Sequence, residues 1–323
     1  KLHFSKKVRG RLSVGTLVYE GSCLEDLNKF VPENLTRKQI LSRKASLFDL
    51  LGKLTPITAG FSLDLRAAMK ATQGWNDAVP LDIRQKWVQN FHKLEQLRGI
   101  KFQRAVMPME AVDGRMHMIN AGDTAKHHIK IAGVWVRFRL KSGKFSCQHL
   151  IGRSMLGDEN STIPKEELES LTMCSNLGLI TRQTLDKWVE SYITISDSTI
   201  SLCWVSSTEN RQSLFTRNRS VQVRRTTDMD NLFHVITSEN PADLGTRPDL
   251  VKLEDVGPYS TWEKGMPWMS GDISEAVDAG IKNLRMTRDE EEEYQKGFVF
   301  ERSPEILTRG HVMASVRSQN IAD

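Results

Sequence analysis

Four acidic residues stand at the ends of predicted elements. Asp123 and Asp197 each lie near the end of a predicted strand. Glu167 lies in the first turn of a predicted helix, and Asp243 begins the last predicted helix. If the two strands are neighbours in a sheet, all four carboxylates can meet at one edge. Mg²⁺ prefers hard oxygen ligands, and two divalent ions about 3.5–4 Å apart can activate water and stabilise the leaving oxygen of a phosphodiester. The four acids are therefore a candidate two-metal site.

Spacing alone does not establish this site. The chain contains 40 Asp and Glu residues, so four acids at element ends can arise by chance. Taken one at a time, such an acid is more often a helix cap or a surface residue than a ligand. The elements around the acids and their local motifs must carry the hypothesis further.

Helical spacing of apolar residues dominates the region before residue 100. It predicts a first helix that Thr36 caps and that Gly52 and Pro56 end. Two further helices are predicted over residues 61–71 and 81–97. Upstream of them, residues 14–19 form a candidate strand. The helices indicate a small all-helical connector.

From about residue 115 the apolar pattern changes to the alternation that is typical of strands. Three strands with short turns predict an antiparallel meander that ends near residue 154. The continuation predicts the order β-β-β-α-β-α-β-α up to residue 247, which favours an α/β fold. After residue 248 the chain becomes polar, and the acidic run at 289–293 indicates a solvated helix or a disordered linker.

Composition sets outer limits on function. The 323 residues suit about two domains plus connecting pieces. A net charge of +5 is compatible with a polyanionic partner, and the four cysteines form no zinc-type or disulfide pattern. No apolar stretch approaches the roughly 20 residues that span a bilayer. The first residues do not form a secretory signal, and without an initiator Met we expect a fragment or a processing product.

An ordered set of short motifs runs from about residue 35 to residue 269. It comprises residues 35–57, Thr162-Ile163-Pro164 with Glu167-Leu168, Ser196-Asp197-Ser198-Thr199 with Trp204, Phe215 with Asn218-Arg219 and Val221, His234-Val235, and Glu239-Asn240-Pro241-Ala242-Asp243-Leu244 with Arg247. Together they resemble the Pao (BEL/Pao) family of LTR retrotransposons, whose Pol polyprotein carries a ribonuclease H after its reverse transcriptase. The ordered set is specific, whereas any single motif is not.

The resemblance implies a ribonuclease H-like mixed sheet with flanking helices, preceded by a helical connector. It assigns residues 1–34 to the tail of an upstream reverse transcriptase, 35–104 to the connector, 105–250 to the ribonuclease H-like domain and 251–323 to a linker or partly disordered segment. It also implies two Mg²⁺ or Mn²⁺ ions as cofactors. The acids that would bind them are Asp123, Glu167, Asp197 and Asp243.

The chain departs from the family pattern in two places. The family usually has Ser-Asp-Ala-Ser at the first acid, where this chain has Gly122-Asp123-Thr124-Ala125. Many ribonucleases H carry a mobile His before the last acid, but residues 236–239 contain none. His234 lies earlier and is interpreted as a structural residue of the last strand.

The resemblance further implies RNA–DNA hybrid as substrate, and the upstream reverse transcriptase and downstream integrase regions of the polyprotein as partners. It implies a cytoplasmic location in a virus-like particle, with a later nuclear location as an open alternative. Phosphate contacts in hybrid recognition need basic residues. The candidates are Arg153, Arg211, Arg217, Arg219, Arg224 and Arg225. A solvated helix surface is an equally good interpretation of the arginines between residues 211 and 225.

Two other classes of function stay open. The first is an aspartic-type peptidase, although Asp123-Thr124-Ala125 and Asp197-Ser198-Thr199 both lack the Gly of the catalytic turn in such enzymes. The second is a non-catalytic structural or hybrid-binding piece of the polyprotein. Polymerase and integrase activities are not expected, because the chain has neither an Asp-Asp pair nor a His-His-Cys-Cys zinc pattern.

Overall fold

A computed structural model describes residues 2–4, 16–19, 31–47, 49–97, 100–125, 127–207, 212–273 and 282–283 of the chain. Arg211, the acidic run at 289–293 and most of the predicted reverse transcriptase tail lie outside these residues. Among the described helices, none combines the length and apolar character that a membrane span requires.

The three predicted connector helices are present, but the end of the first and the start of the second differ from the prediction. They are α1 (Arg37–Ser46), α2 (Thr55–Ala71) and α3 (Leu81–Gln96). Thr36 begins α1 with a capping box, in which its hydroxyl accepts from Gln39 N at 3.3 Å and its own N–H donates to Gln39 Oε1 at 2.8 Å. α1 ends at Ser46, before the predicted end at Gly52, and α2 begins at Thr55 rather than near residue 61. Pro56 does not end α1. It lies in the first turn of α2, where its missing N–H is not needed.

Strands before and after the connector helices form a small antiparallel sheet. Its strands are β1 (Leu2–Phe4), β2 (Thr16–Tyr19) and β3 (Lys101–Gln103), in the order β1-β2-β3. The strand predicted within residues 14–19 is therefore present. β3 was not foreseen, because three residues are too few to show an alternating pattern.

A mixed sheet forms the centre of the molecule and confirms the predicted fold class. The meander consists of β4 (Met116–Thr124), β5 (Ile129–Arg139) and β6 (Phe145–Leu156). β7 (Val189–Ser196) pairs parallel to β4, and β8 (Leu232–His234) pairs parallel to β7. The two-residue strand β9 (Lys282–Asn283) completes the order β6-β5-β4-β7-β8-β9. His234 is the last residue of β8, as predicted.

The helices of this part follow the predicted order, except that two helices separate β7 from β8 and that the last one lies in the segment predicted as a linker. They are α4 (Ile163–Thr184), α5 (Thr199–Ser206), α6 (Leu214–Thr226), α7 (Asp243–Thr246) and α8 (Thr261–Lys264). α4 covers one face of the sheet, where Leu168 and Leu171 share a buried core with Met118 and Val136. This packing follows from the alternation of the strands, which directs every second side chain toward the helix.

The opposite face of the sheet is covered by two segments, one that precedes residues 105–250 in sequence and one that follows them. Ala59 of α2 shares a core with Ile119 and Ile131. Trp262 of α8 is fully buried there, and its carbonyl accepts from Trp135 Nε1 at 2.8 Å. The expectation of a polar linker from residue 251 is therefore wrong for residues 251–273, which fold against the sheet. The domain boundaries themselves stay predictions.

Two contacts fix the connector to neighbouring elements, one to the edge strand β6 and one to α8. Gly52 has φ +65°, and a Cβ placed on it would lie 2.1 Å from the carbonyl oxygen of Gly152, so only glycine fits. Beside it, the buried Lys53 Nζ lies 2.9 Å from Glu263 Oε1 of α8. Removing either charge would leave the other buried and unpaired, which is strongly unfavourable.

Candidate active site

The ends of β4 and β7 bring two of the predicted acids to the same level. These strands are parallel neighbours, and Ala121 pairs with Ile195 in their register. Asp123 and Asp197 each lie two residues further along, so they stand side by side at the carboxyl edge of the sheet. The conditional prediction that the two strands are neighbours is thereby confirmed.

Glu167 reaches this edge from the first turns of α4. Its neighbours Leu168 and Leu171 are fully buried under the sheet, which fixes the rotation of the helix. Ser198 donates its hydroxyl hydrogen to Glu167 Oε2 at 2.7 Å and also caps α5 by accepting from Ser201 N at 3.2 Å. Burial raises the pKa of Glu167, and the charge of Asp197 raises it further. Glu167 and Asp197 are therefore electrostatic neighbours.

Asp243, the fourth acid, is the first residue of α7. Its Oδ1 accepts from Arg247 Nη2 at 2.8 Å. Thr246, one turn along the same short helix, donates to Asp123 Oδ2 at 3.1 Å. Burial raises the pKa of Asp243, the charge of Arg247 lowers it, and Asp197 raises it. The helix therefore connects Asp243 to Asp123 and opposes their like charges with one exposed guanidinium.

The pKa of Asp123 is raised by its burial and by two of the other acids. Its side chain is only 7% exposed. Burial raises its pKa to about 8, with further contributions from Asp197 and then from Asp243. Asp197 is thus a neighbour of all three other acids. The structure brings the four predicted residues into one cluster of negative charge, while their roles stay predictions.

The chemistry of this cluster fits divalent cations, but its side chains are not arranged as a metal shell. Among the described residues, no group of three or more His, Cys, Asp or Glu side chains is placed to hold a metal ion. Each of the four carboxylates instead accepts from a separate polar partner, namely Thr246, Ser198, Arg247 or Asn240. The fit therefore lies in the donor atoms and in the raised pKa of Asp123, since a nearby cation would favour the charged carboxylate against the burial and the neighbouring acids that raise this pKa.

Four polar residues that support the acids were not predicted as site residues. They are Ser198, Asn240, Thr246 and Arg247. Ser198, Asn240 and Arg247 belong to the quoted motifs, and Thr246 lies between two of them. Asn240 is 3% exposed, and its Nδ2 donates to Asp197 Oδ1 at 3.0 Å. Their positions in the motifs were the available signal, but no local pattern reveals which acid each one would contact.

The predicted basic residues do not form one surface. Arg217 and Arg225 are exposed on α6. Arg219 is paired with Glu169, with 3.1 Å between Nη2 and Oε1. Arg224 donates from Nη1 to the carbonyls of Val205 and Ser207, at 2.7 and 3.1 Å, so it joins α6 to the end of α5.

Arg153 lies apart from the arginines of α6. It is exposed on the edge strand β6, two strands away from β4. It therefore stands away from the α6 residues and from the carboxylate edge, and its role as a substrate contact stays a prediction. Arg211 lies outside the described residues.

Comparison with models of known protein families gives a match. A family model described as a Pao retrotransposon-like RNaseH-like domain matches residues 36–198, which is half of the chain. The match begins at the cap of α1 and ends just after β7, so it includes the connector helices and three of the four acids. Asp243 lies beyond it. No curated protein matches the sequence.

Proposed function

Because the chain belongs to the Pao retrotransposon-like RNaseH-like domain family, we propose that it is a ribonuclease H that hydrolyses the RNA strand of RNA–DNA hybrids during reverse transcription. The observation that supports this activity most is the meeting of Asp123, Glu167, Asp197 and Asp243 at one sheet edge. Burying several acidic groups together is costly, and such clusters are typical of sites for cation binding or acid–base chemistry.

The four carboxylates would hold two Mg²⁺ or Mn²⁺ ions. When bound, such ions supply an activated water and stabilise the leaving oxygen of the phosphodiester. The chain's own residues orient the ligands. Ser198 holds Glu167, Thr246 holds Asp123, and Arg247 neutralises Asp243. Partners of this kind typically change metal affinity by about 10–100-fold when they are removed.

Hybrid would approach over the carboxyl ends of β4 and β7, beside α6. Arg217 and Arg225 are exposed on α6, and we propose them as contacts to phosphate oxygens because an Arg guanidinium donates two parallel hydrogen bonds. Family membership implies a polyprotein context, so reverse transcriptase and integrase regions of the same polyprotein are the proposed partners. A cytoplasmic virus-like particle is the proposed location.

A cleavage assay tests the proposal. The purified chain would be incubated with an end-labelled RNA–DNA hybrid and Mg²⁺ or Mn²⁺. Asp197→Asn should abolish cleavage, because Asp197 adjoins all three other acids. Asp186→Asn is the matched control, since Asp186 is exposed just beyond the end of α4 and should leave cleavage unchanged.

Two outcomes would contradict the proposal. Equal cleavage by the wild type and Asp197→Asn would show that the acids are not needed. Binding of hybrid by the wild type without cleavage in either metal would instead support a non-catalytic, hybrid-binding piece of the polyprotein.

A further inference from the structure

We propose that Asn240 is the positioning residue that sets the mutual placement of Asp123, Asp197 and Asp243. The inference rests on the proposed function, because it concerns the same carboxylates. Asn240 precedes α7 and is 3% exposed. It follows the short 3-10 turn Thr237–Glu239, and its own N–H closes that turn by donating to Thr237 O at 3.1 Å.

The side-chain amide of Asn240 joins the ends of two strands. Its Nδ2 donates to the carbonyl oxygen of Gly122 in β4 at 3.2 Å and to Asp197 Oδ1 after β7 at 3.0 Å. Gly122 immediately precedes Asp123. The two N–H bonds of one amide therefore connect the backbone beside Asp123 to the carboxylate of Asp197.

The remaining polar groups of Asn240 bind the start of α7. Oδ1 accepts from Ala242 N at 3.1 Å, and the backbone carbonyl accepts from Asp243 N at 3.1 Å. All polar groups of the residue are therefore used. The orientation of the amide is also determined, because its nitrogen faces two acceptors and its oxygen faces a backbone donor.

Asn240 thus contacts the elements of all three aspartates at once. Ser or Asp at this position could keep the bond to Ala242 N, because short polar side chains form such turns. Neither could donate to Gly122 and Asp197 together. Loss of the amide removes both of these bonds at once, so it should let the ends of β4 and β7 separate.

The test compares Asn240→Ser with the matched variant Asn90→Ser. Asn90 is 7% exposed in α3, and its Nδ2 donates to Asp64 Oδ2 at 2.6 Å, so it is also a buried amide on an aspartate but lies in the connector. Hydrogen exchange of the metal-free chain is measured first. We expect Asn240→Ser to raise exchange at the ends of β4 and β7 and at residues 240–246, and Asn90→Ser to leave all three segments unchanged.

Binding of Mn²⁺, followed by its electron paramagnetic resonance signal, is measured second. We expect Asn240→Ser to weaken Mn²⁺ binding by about 10-fold or more, the range of ligand-orienting residues, and Asn90→Ser to retain wild-type affinity. Faster exchange confined to residues 240–246 would overturn the proposal, as would wild-type Mn²⁺ affinity in Asn240→Ser.

The two measurements separate this inference from the proposed function. If the wild type takes up no Mn²⁺, the two-metal function fails, while the exchange at β4 and β7 still decides the role of Asn240. If Asn240→Ser does not fold, Asn240→Asp is used for exchange. It keeps the volume and the acceptor for Ala242 N but has no N–H for Gly122.

Discussion

Replacing Asp123 by Asn should stabilise the metal-free protein at neutral pH. The pKa of Asp123 rises from 3.8 to about 8 on folding, mainly through burial. Between these two values the folded state keeps a proton that the unfolded state has released. The free energy of unfolding therefore falls as pH rises through this window. Asn is neutral at every pH and has nearly the same shape, so Asp123→Asn removes this loss.

The size of the effect follows from the width of the window. One pH unit corresponds to about 1.4 kcal/mol for one proton. Between pH 5 and pH 7 the wild type should therefore lose up to about 3 kcal/mol relative to Asp123→Asn, and less where Asp197 and Asp243 share the proton. For a chain of this size that is a difference of about 5–10 °C in melting temperature.

Thermal unfolding at pH 5, 6, 7 and 8 with a chelator measures this difference. Repeating it with Mn²⁺ should stabilise the wild type and not Asp123→Asn, because ligand binding to the folded state raises stability. Asp64→Asn is the control. Burial raises the pKa of Asp64 to about 6, so this variant should also change the pH dependence, but its response to Mn²⁺ should match the wild type.

Two results would refute the reasoning about Asp123. The first is a melting difference between wild type and Asp123→Asn that is the same at pH 5 and pH 7, since the proton would then play no part. The second is equal stabilisation of both proteins by Mn²⁺, since the carboxylate would then not contribute to metal binding.

Three further predictions concern the supports of the site. Ser198→Ala should lower the free energy of unfolding by about 1 kcal/mol through loss of a helix cap, and it should reduce hybrid cleavage. Urea unfolding measures the first effect and the cleavage assay the second. Unchanged cleavage would contradict the support that Ser198 gives to Glu167. Lys53→Met should lower the free energy of unfolding by about 3–5 kcal/mol, measured in urea, because it leaves Glu263 buried and unpaired. Adding Glu263→Leu should recover most of this loss. A single variant as stable as the double variant would argue against the importance of the ion pair. A chain limited to residues 105–250 should lack cooperative thermal unfolding, while residues 31–273 should show it by circular dichroism, because one face of the sheet is covered by residues outside the shorter range.

Much of the fold is predictable because the apolar residues follow clear strand and helix periods in the sequence. The alternation in β4 to β6 gives both the meander and its two faces. Asp123 and Asp197 could be placed at one edge, on the condition that their strands are neighbours. The register between β4 and β7 meets that condition. A strand's period fixes which side chains share a face, and its end fixes where an acid can lie.

The remaining features depend on contacts between distant segments. The apolar face of α2 predicts burial but does not identify the sheet as its partner. Trp262 stands in a polar stretch, and nothing near it in sequence reveals its pairing with Trp135. The bonds of Asn240 to Gly122 and Asp197 join segments that are distant in sequence, so their geometry exists only after folding.

The packing of α2 behind the sheet has a consequence for the order of synthesis. α2 leaves the ribosome before any strand of the large sheet, yet it packs against β6 and against α7, which carries Asp243. Phe61 can pack on Trp87 of α3 as soon as that helix is made, whereas Ala59 has no sheet partner until β4 and β5 are translated. The carboxylate cluster is completed only when α7 emerges, so a nascent chain that stops earlier presents exposed helices and no assembled site. The contact of α2 with α7 and the arrival of the fourth acid are therefore completed in the same step of translation.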